Sequence, residues 1–130
     1  MAGESYPDDL KYHPEHDWAR IEGDQATFGV TWFAQDALGE IVFFDPPEPG
    51  TQISANQPYA EIESVKAVSD VFAPLSGEIV DVNSDLGEKP EKINEDPYGD
   101  GWLVKVRLSD PGEADSLLDV SAYRDLLKEQ

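Results

Sequence analysis

The sequence predicts a mainly β domain, a sandwich or flattened barrel with short peripheral helices and a helical C-terminus. Short strand-like runs recur at near-regular spacing, punctuated by the turn residues Asn56, Pro58, Pro74, Ser76-Gly77, Asn83 and Gly87. The tetrapeptide GEIV occurs at residues 39–42 and again at 77–80, each time ahead of a Pro-, Asp- or Glu-rich loop with a glycine, Gly50 or Gly87. Two copies of strand plus loop suggest two halves packed as pseudo-symmetric sheets. A length of 130 residues fits one domain with a sizeable core.

Residues 1–10 read as a polar, loose N-terminal segment ahead of a single domain over 11–130. From Tyr12 the chain becomes strand-like: DWARIE and QATFGV alternate around Gly23-Asp24, a hairpin turn. In TWFAQDAL the period changes. Phe33, Ala34, Ala37 and Leu38 fall at helical spacing, Thr31 can cap the start and Gly39 the end. GEIVFFD reads as a buried strand, broken by PPEPG. Further strands are predicted at 58–64, 68–73, 77–83 and 102–108. Leu117, Leu118, Tyr123, Leu126 and Leu127 predict one or two short C-terminal helices.

Composition narrows the function. The formal net charge is −19, a field that repels phosphate backbones and anionic lipid and favours cationic ligands or partners. With no cysteine, the chain has no disulfide, thiolate nucleophile or Cys-based metal site, so any sulfur chemistry must come from something attached or bound. No apolar run approaches a membrane span, and the N-terminus lacks signal-peptide and transit patterns. The expected location is the cytoplasm of a bacterium, or the mitochondrial matrix after processing. His13 and His16 form H-P-E-H, but without a helix or a third ligand they predict no metal site. NEDPYGDG fails as a calcium loop, since Tyr98 and Lys105 stand at ligand positions. It reads as a turn packed on the strand that follows. Trp18, Trp32 and Trp102 are expected in packing.

Against this acidity Lys66 stands alone. Residues 21–88 hold one Lys or Arg and 13 Asp or Glu. Alternation on both sides makes two strands, with Lys66 at their turn. No glycine marks that turn, so its geometry must be held by packing. Ser64, Val65 and Ala67 are small and leave the amine unshielded. Three readings remain open at this point. The lysine could be a solvated edge charge. It could be a catalytic amine, although Glu61, Glu63 and Asp70 would favour its charged form. It could be a covalent attachment point, which needs a protruding, open amine.

The segments HPEHDW, TWFAQDALG, GEIVFFDPPEPG, ESVKAVSD, APLSGEIVDVN and NEDPYGDGWLVKVRLSD, in this order, resemble the H-protein family of the glycine cleavage system. The resemblance runs from about Leu10 to the C-terminal helix. It implies a hybrid of the lipoyl and biotinyl carrier type, two small antiparallel sheets with lipoic acid amide-linked to Lys66 on a hairpin. It implies a non-catalytic carrier, working as a monomer. The arm takes an aminomethyl group from a pyridoxal-phosphate glycine decarboxylase to a tetrahydrofolate-dependent aminomethyltransferase and is reoxidised by a flavin (FAD) dihydrolipoyl dehydrogenase. Glu63, Ser64, Val65 and Ala67 are the hairpin flanks of the attachment site; Glu61 and Glu63 either present the lysine to a lipoate-attaching enzyme or simply solvate the strand, the reading favoured here. The loaded arm folds into a cleft, where Asp17 and Asp70 match the contacts to its ammonium. Trp32, Phe33 and Ala37 depart from the usual family text near that cleft. A lipoyl or octanoyl relay to other lipoyl domains is the alternative. A biotin carrier fits less well, since Val65 and Ala67 rather than methionines flank the lysine.

Overall fold

The computed structural model describes residues 3–129. Among them nine strands are formed: β1 (Lys11–His13), β2 (Asp17–Glu22), β3 (Gln25–Val30), β4 (Ile41–Asp45), β5 (Gln52–Ile53), β6 (Pro58–Ser64), β7 (Val68–Phe72), β8 (Gly77–Val82) and β9 (Val104–Leu108). The helices are α1 (Trp32–Leu38), α2 (Lys92–Glu95) and α3 (Val120–Lys128), with 3-10 turns at Ser84–Gly87 and Pro111–Ser116. A six-stranded sheet has the order β1-β2-β3-β9-β8-β5, and a three-stranded sheet the order β4-β6-β7. Every pairing is antiparallel. The mainly β sandwich with short helices is therefore observed.

Facing sides of the two sheets make the core. Ala19, Phe28, Val104, Val106 and Ile79 from the larger sheet meet Ile41, Phe44, Ile62 and Val71 from the smaller one. A second cluster, Tyr6, Leu10, Tyr12, Trp18, Tyr98 and Tyr123, fills the other side of the β1-β2-β3 edge under α3. Trp18 lies flat over Gly29, its register partner. A Cβ at Gly29 would stand 2.5 Å from the indole, so only glycine lets the ring settle there.

The GEIV echo has structural content. Ile41 and Ile79 are both buried, and the register shifts at the next residue in both copies, at Val42 and at Val80. A bulge interrupts alternation at the same place twice. The copies lie in different sheets, but the sheets are unequal, with three strands and six.

The structure corrects several expectations. The N-terminal segment is not loose: Tyr6 and Leu10 are buried, and Pro7 O and Ser5 O accept the Tyr12 and Tyr98 hydroxyls. β4 is not a buried strand, because its bulge turns Val42 and Phe43 outward, 46% and 49% exposed. The short β5 and α2 carry too few residues for periodicity to register. The 94–101 loop packs on more than its following strand. Pro97 O accepts the Trp18 Nε1–H, and Tyr98 O accepts from Arg20.

Candidate functional site

Lys66 sits at the tip of the β6–β7 hairpin. Glu63 pairs with Val68, and Ser64 N–H donates to Ala67 O at 2.8 Å, leaving Val65 and Lys66 as the loop. Neither loop residue has positive φ, so no glycine is required. Ser64 supplies what the missing Gly would have given. Its Oγ accepts from Lys66 N at 3.2 Å and from Ala67 N at 3.1 Å, a side-chain-capped turn. A second tie comes from outside the hairpin, where Val65 N–H donates to Glu40 O at 3.0 Å.

The amine is open. Val65 is 67% exposed, and Lys66 and Ala67 are exposed beside it. Among the described residues no carboxylate lies within 4.0 Å of Lys66 Nζ; the three ion pairs are Lys92–Asp85, Arg107–Glu78 and Lys128–Asp125. The sequence places acids near the lysine, but none of them pairs with it. The Lys66 stem runs past Gly39, whose added Cβ would meet Lys66 Cε at 3.5 Å. Gly39 closes α1 with φ 84 and ψ −154, a conformation that favours glycine.

A groove of about 250 Å3 lies between α1 and β7, with Leu38, the neighbour of Gly39, in its lining. α1 lines it with Phe33, Ala34, Ala37 and Leu38, β7 with Ser69, Asp70 and Phe72, and the β1–β2 loop with Glu15 and His16. One wall is apolar and the other carries carboxylates. The helical stripe Phe33, Ala34, Ala37, Leu38 thus lines the groove, while the buried residue of α1 is Gln35. Trp32 is not a groove residue; its N–H donates to Tyr98 OH at 2.9 Å.

The apolar wall is held at both ends. Thr31 Oγ1 caps α1 by accepting from Ala34 N, and it shares a 2.8 Å hydrogen bond with Tyr123 OH. At the other end buried Asn94 accepts from Ile41 N and donates to Gly39 O and Gln35 Oε1. On the opposite wall Tyr123 OH also bonds His16 Nδ1 at 2.8 Å, and the His16 ring rests 4.5 Å from Phe33. His16 holds φ 74, an uncommon backbone state for a residue other than glycine. His13 Nε2 turns elsewhere, to Asn56 Oδ1. Among the described residues no three His, Asp or Glu group as a metal site.

The two aspartates differ. Asp70 is exposed and lines the groove. Asp17 is 2% exposed and sits behind the wall, between the sheets. Burial pushes its carboxyl well above the usual range; a hydrogen bond from the Phe72 backbone opposes this, and the Glu15 charge adds to it. Across the outer face of the small sheet two rows run in register. Phe43, Glu63 and Val68 lie nearer the tip, and Asp45, Glu61 and Asp70 lie behind them. The sequence reading took Gly39 as the helix stop, which it is, without its place beside Lys66; it gave no groove role to Glu15, His16 or Phe72 and no role to Asn94.

A family model described as Glycine cleavage H-protein matches residues 10–130. A glycine cleavage system H protein of Symbiobacterium thermophilum is 51% identical over 123 residues, covering 95% of this chain and 96% of the relative. One of Rubrobacter xylanophilus is 53% identical over 124 residues, with 95% and 96% covered. The crystal structure of a glycine cleavage system H protein from Mycobacterium marinum superposes with a TM-score of 0.87 at 40% identity, over 95% of this chain and 99% of that one.

Proposed function

The chain belongs to the glycine cleavage H-protein family, and from that premise we propose that Lys66 Nζ carries lipoic acid in amide linkage and that the protein is a carrier rather than a catalyst. The observation supporting this is an exposed, unpaired lysine on a capped hairpin, its stem beside Gly39 and so next to Leu38 of a half-apolar groove. These residues fit the group. A free primary amine accepts the acyl bond, the α1 wall suits an aliphatic chain, and the carboxylates opposite suit a cationic cargo. Bound there, lipoate supplies a disulfide that takes up the aminomethyl group of glycine and is restored by oxidation.

The protein's own residues bind, orient and shield. Ser64 and the Glu40 carbonyl fix the direction in which Lys66 leaves the sheet. Phe33, Ala34, Ala37 and Leu38 exclude water from one side of the docked arm. Asp70 keeps the cargo amine protonated by a charge-assisted hydrogen bond, about 1.5–3 kcal/mol. Glu63, beside the lysine, presents the hairpin to the attaching enzyme. A flexible tether on a stiff base raises the effective concentration at each partner site. The partners are the decarboxylase, the aminomethyltransferase and the dihydrolipoyl dehydrogenase of the same system, in the cytoplasm of a bacterium.

The test is intact mass after co-production with a lipoate-attaching enzyme and lipoate. One lipoyl increment, mapped to Lys66 and lost in Lys66→Arg, is expected. An increment at another residue, or none, defeats the reading.

A further inference from the structure

Along the seam between the N-terminal segment and α3 lies a pocket of about 410 Å3, lined by Glu4, Tyr6, Arg124, Leu127 and Lys128. It shares no residue with the groove between α1 and β7. Its floor is apolar. Tyr6 is buried and stands edge-on to Tyr123, centroids 5.6 Å apart, and Leu127 is half-buried. At the mouth are Arg124 and Lys128, two of only nine Lys and Arg in a chain with 28 Asp and Glu. They stand one turn apart on α3, where like charges repel. The many acids of the chain do little to relieve them. Lys128 meets Asp125 at 3.9 Å with the two side chains 78% and 75% exposed, so the attraction is weak. Arg124 forms no ion pair and no side-chain hydrogen bond among the described residues; its guanidinium lies 5.3 Å from the centre of the Tyr6 ring. The ring restrains the guanidinium and leaves its five N–H donors without an acceptor. Glu4 does not answer it, because its Oε2 accepts from Tyr6 OH.

We propose that this seam is a binding site for a compact organic carboxylate with an apolar body. Arg124 takes the carboxylate through two parallel N–H···O bonds, the match its planar fork is built for. Lys128 adds charge from the rim, and the apolar body lies on Tyr6 and Leu127, as in pockets where few polar groups orient a mostly apolar ligand. Glu4 opposes the ligand as a like charge at the edge of the site. The site does not depend on the carrier reading and stands whether or not Lys66 is acylated. A ligand there joins the N-terminal segment to α3.

The probe is phenylacetate, titrated into the full unmodified chain and followed by backbone amide shifts in NMR. Phenylacetamide, of the same shape without the charge, is the control. Saturable shifts are expected at Tyr6, Arg124, Leu127 and Lys128. Replacing the probe by phenylacetamide, or the protein by Arg124→Gln, should each weaken binding at least about tenfold, the loss of hydrogen bonds to a charged group. Lys128→Gln removes only a rim charge and should weaken it by no more than about fivefold. Glu4→Gln should tighten it. All three positions are exposed, so the variants keep the fold, and unchanged shifts away from the seam verify this. No saturable shift, shifts centred elsewhere, equal binding of phenylacetamide, or an unaffected Arg124→Gln overturns the proposal. Weaker binding by Glu4→Gln overturns it too, since the site would then be recognising a cationic group.

Discussion

Removing the Asn94 side chain is expected to loosen the fold and the Lys66 hairpin together. Asn94 is 3% exposed and serves three groups: it accepts from Ile41 N at 2.8 Å and donates to Gly39 O at 2.8 Å and Gln35 Oε1 at 3.0 Å. In Asn94→Ala the Ile41 N–H and the Gln35 amide oxygen lose their partners in the dry interior, while the Gly39 carbonyl lies near enough to the surface to recruit water. Two stranded groups at roughly 1–3 kcal/mol each give an expected loss of about 3–5 kcal/mol. For a domain of this size that lowers Tm by roughly 10–20 °C. Asn94→Asp separates the bonds. It keeps the acceptor for Ile41 N but turns a carboxylate toward two acceptors, so at pH 7 it should rescue nothing. The consequence reaches the site because Glu40, between Gly39 and Ile41, accepts from Val65 N. Urea unfolding followed by far-UV circular dichroism measures the first effect, and amide exchange at Val65 the second. A loss below about 1 kcal/mol, or full rescue by Asp, would refute the reasoning, because Ile41 N–H would then have another acceptor or be the only bond that matters.

Three further outcomes follow from single positions. Burial raises the Asp17 carboxyl, so its folded value exceeds its unfolded one; this favours folding fully at acid pH and the gain is lost as pH rises through the folded value. Asp17→Asn should therefore gain on wild type between the ordinary carboxylate range and neutrality, and parallel stability–pH curves would sink the idea. Ser64→Ala removes the acceptor for Lys66 N and Ala67 N; exchange of those two amides should speed up at a cost of about 0.5–1.5 kcal/mol, and unaltered exchange would show that Glu40 alone holds the turn. Gly29→Ala drives a Cβ to 2.5 Å from the Trp18 ring; about 1–3 kcal/mol should be lost with a shift in tryptophan emission, whereas a neutral variant would mean the indole moves freely.

What could be read from the sequence was what is encoded locally. The hairpin at Gly23-Asp24, the Thr31-capped helix and the strands around Lys66 each carry their signals within a few residues. The bulges at Val42 and Val80 did not show, because an extra residue shifts the alternation that periodicity relies on. Phe43 thus read as core and stands outside. Asn94 gave no sign because its partners lie 53, 55 and 59 positions away. The Lys66 turn was found without its cause, since a serine at a strand end reads equally as a strand residue or as a turn cap. Asp17 was picked out by family resemblance; that it faces inward depends on the register of β2 against β3, which no local signal fixes.

The uneven charge leaves this lysine free to be neutralised without cost to the fold, should it be acylated. Asp45, Glu61 and Asp70 face one another across the outer side of the small sheet, an arrangement that opposes pairing. Arg20, Lys105 and Arg107 lie on the far sheet, in the two register rows that run through Thr27 and Gln25. The small sheet must then be held by its inner face, where Phe44, Ile62 and Val71 are buried. Had Lys66 been ion-paired to this acidic face, acylating it would have stranded a carboxylate and cost the sheet the attraction. Because it pairs with none, its charge can be removed with the hairpin unaltered, and the hydrogen bonds of Ser64 and Glu40, both indifferent to that charge, set its direction before and after.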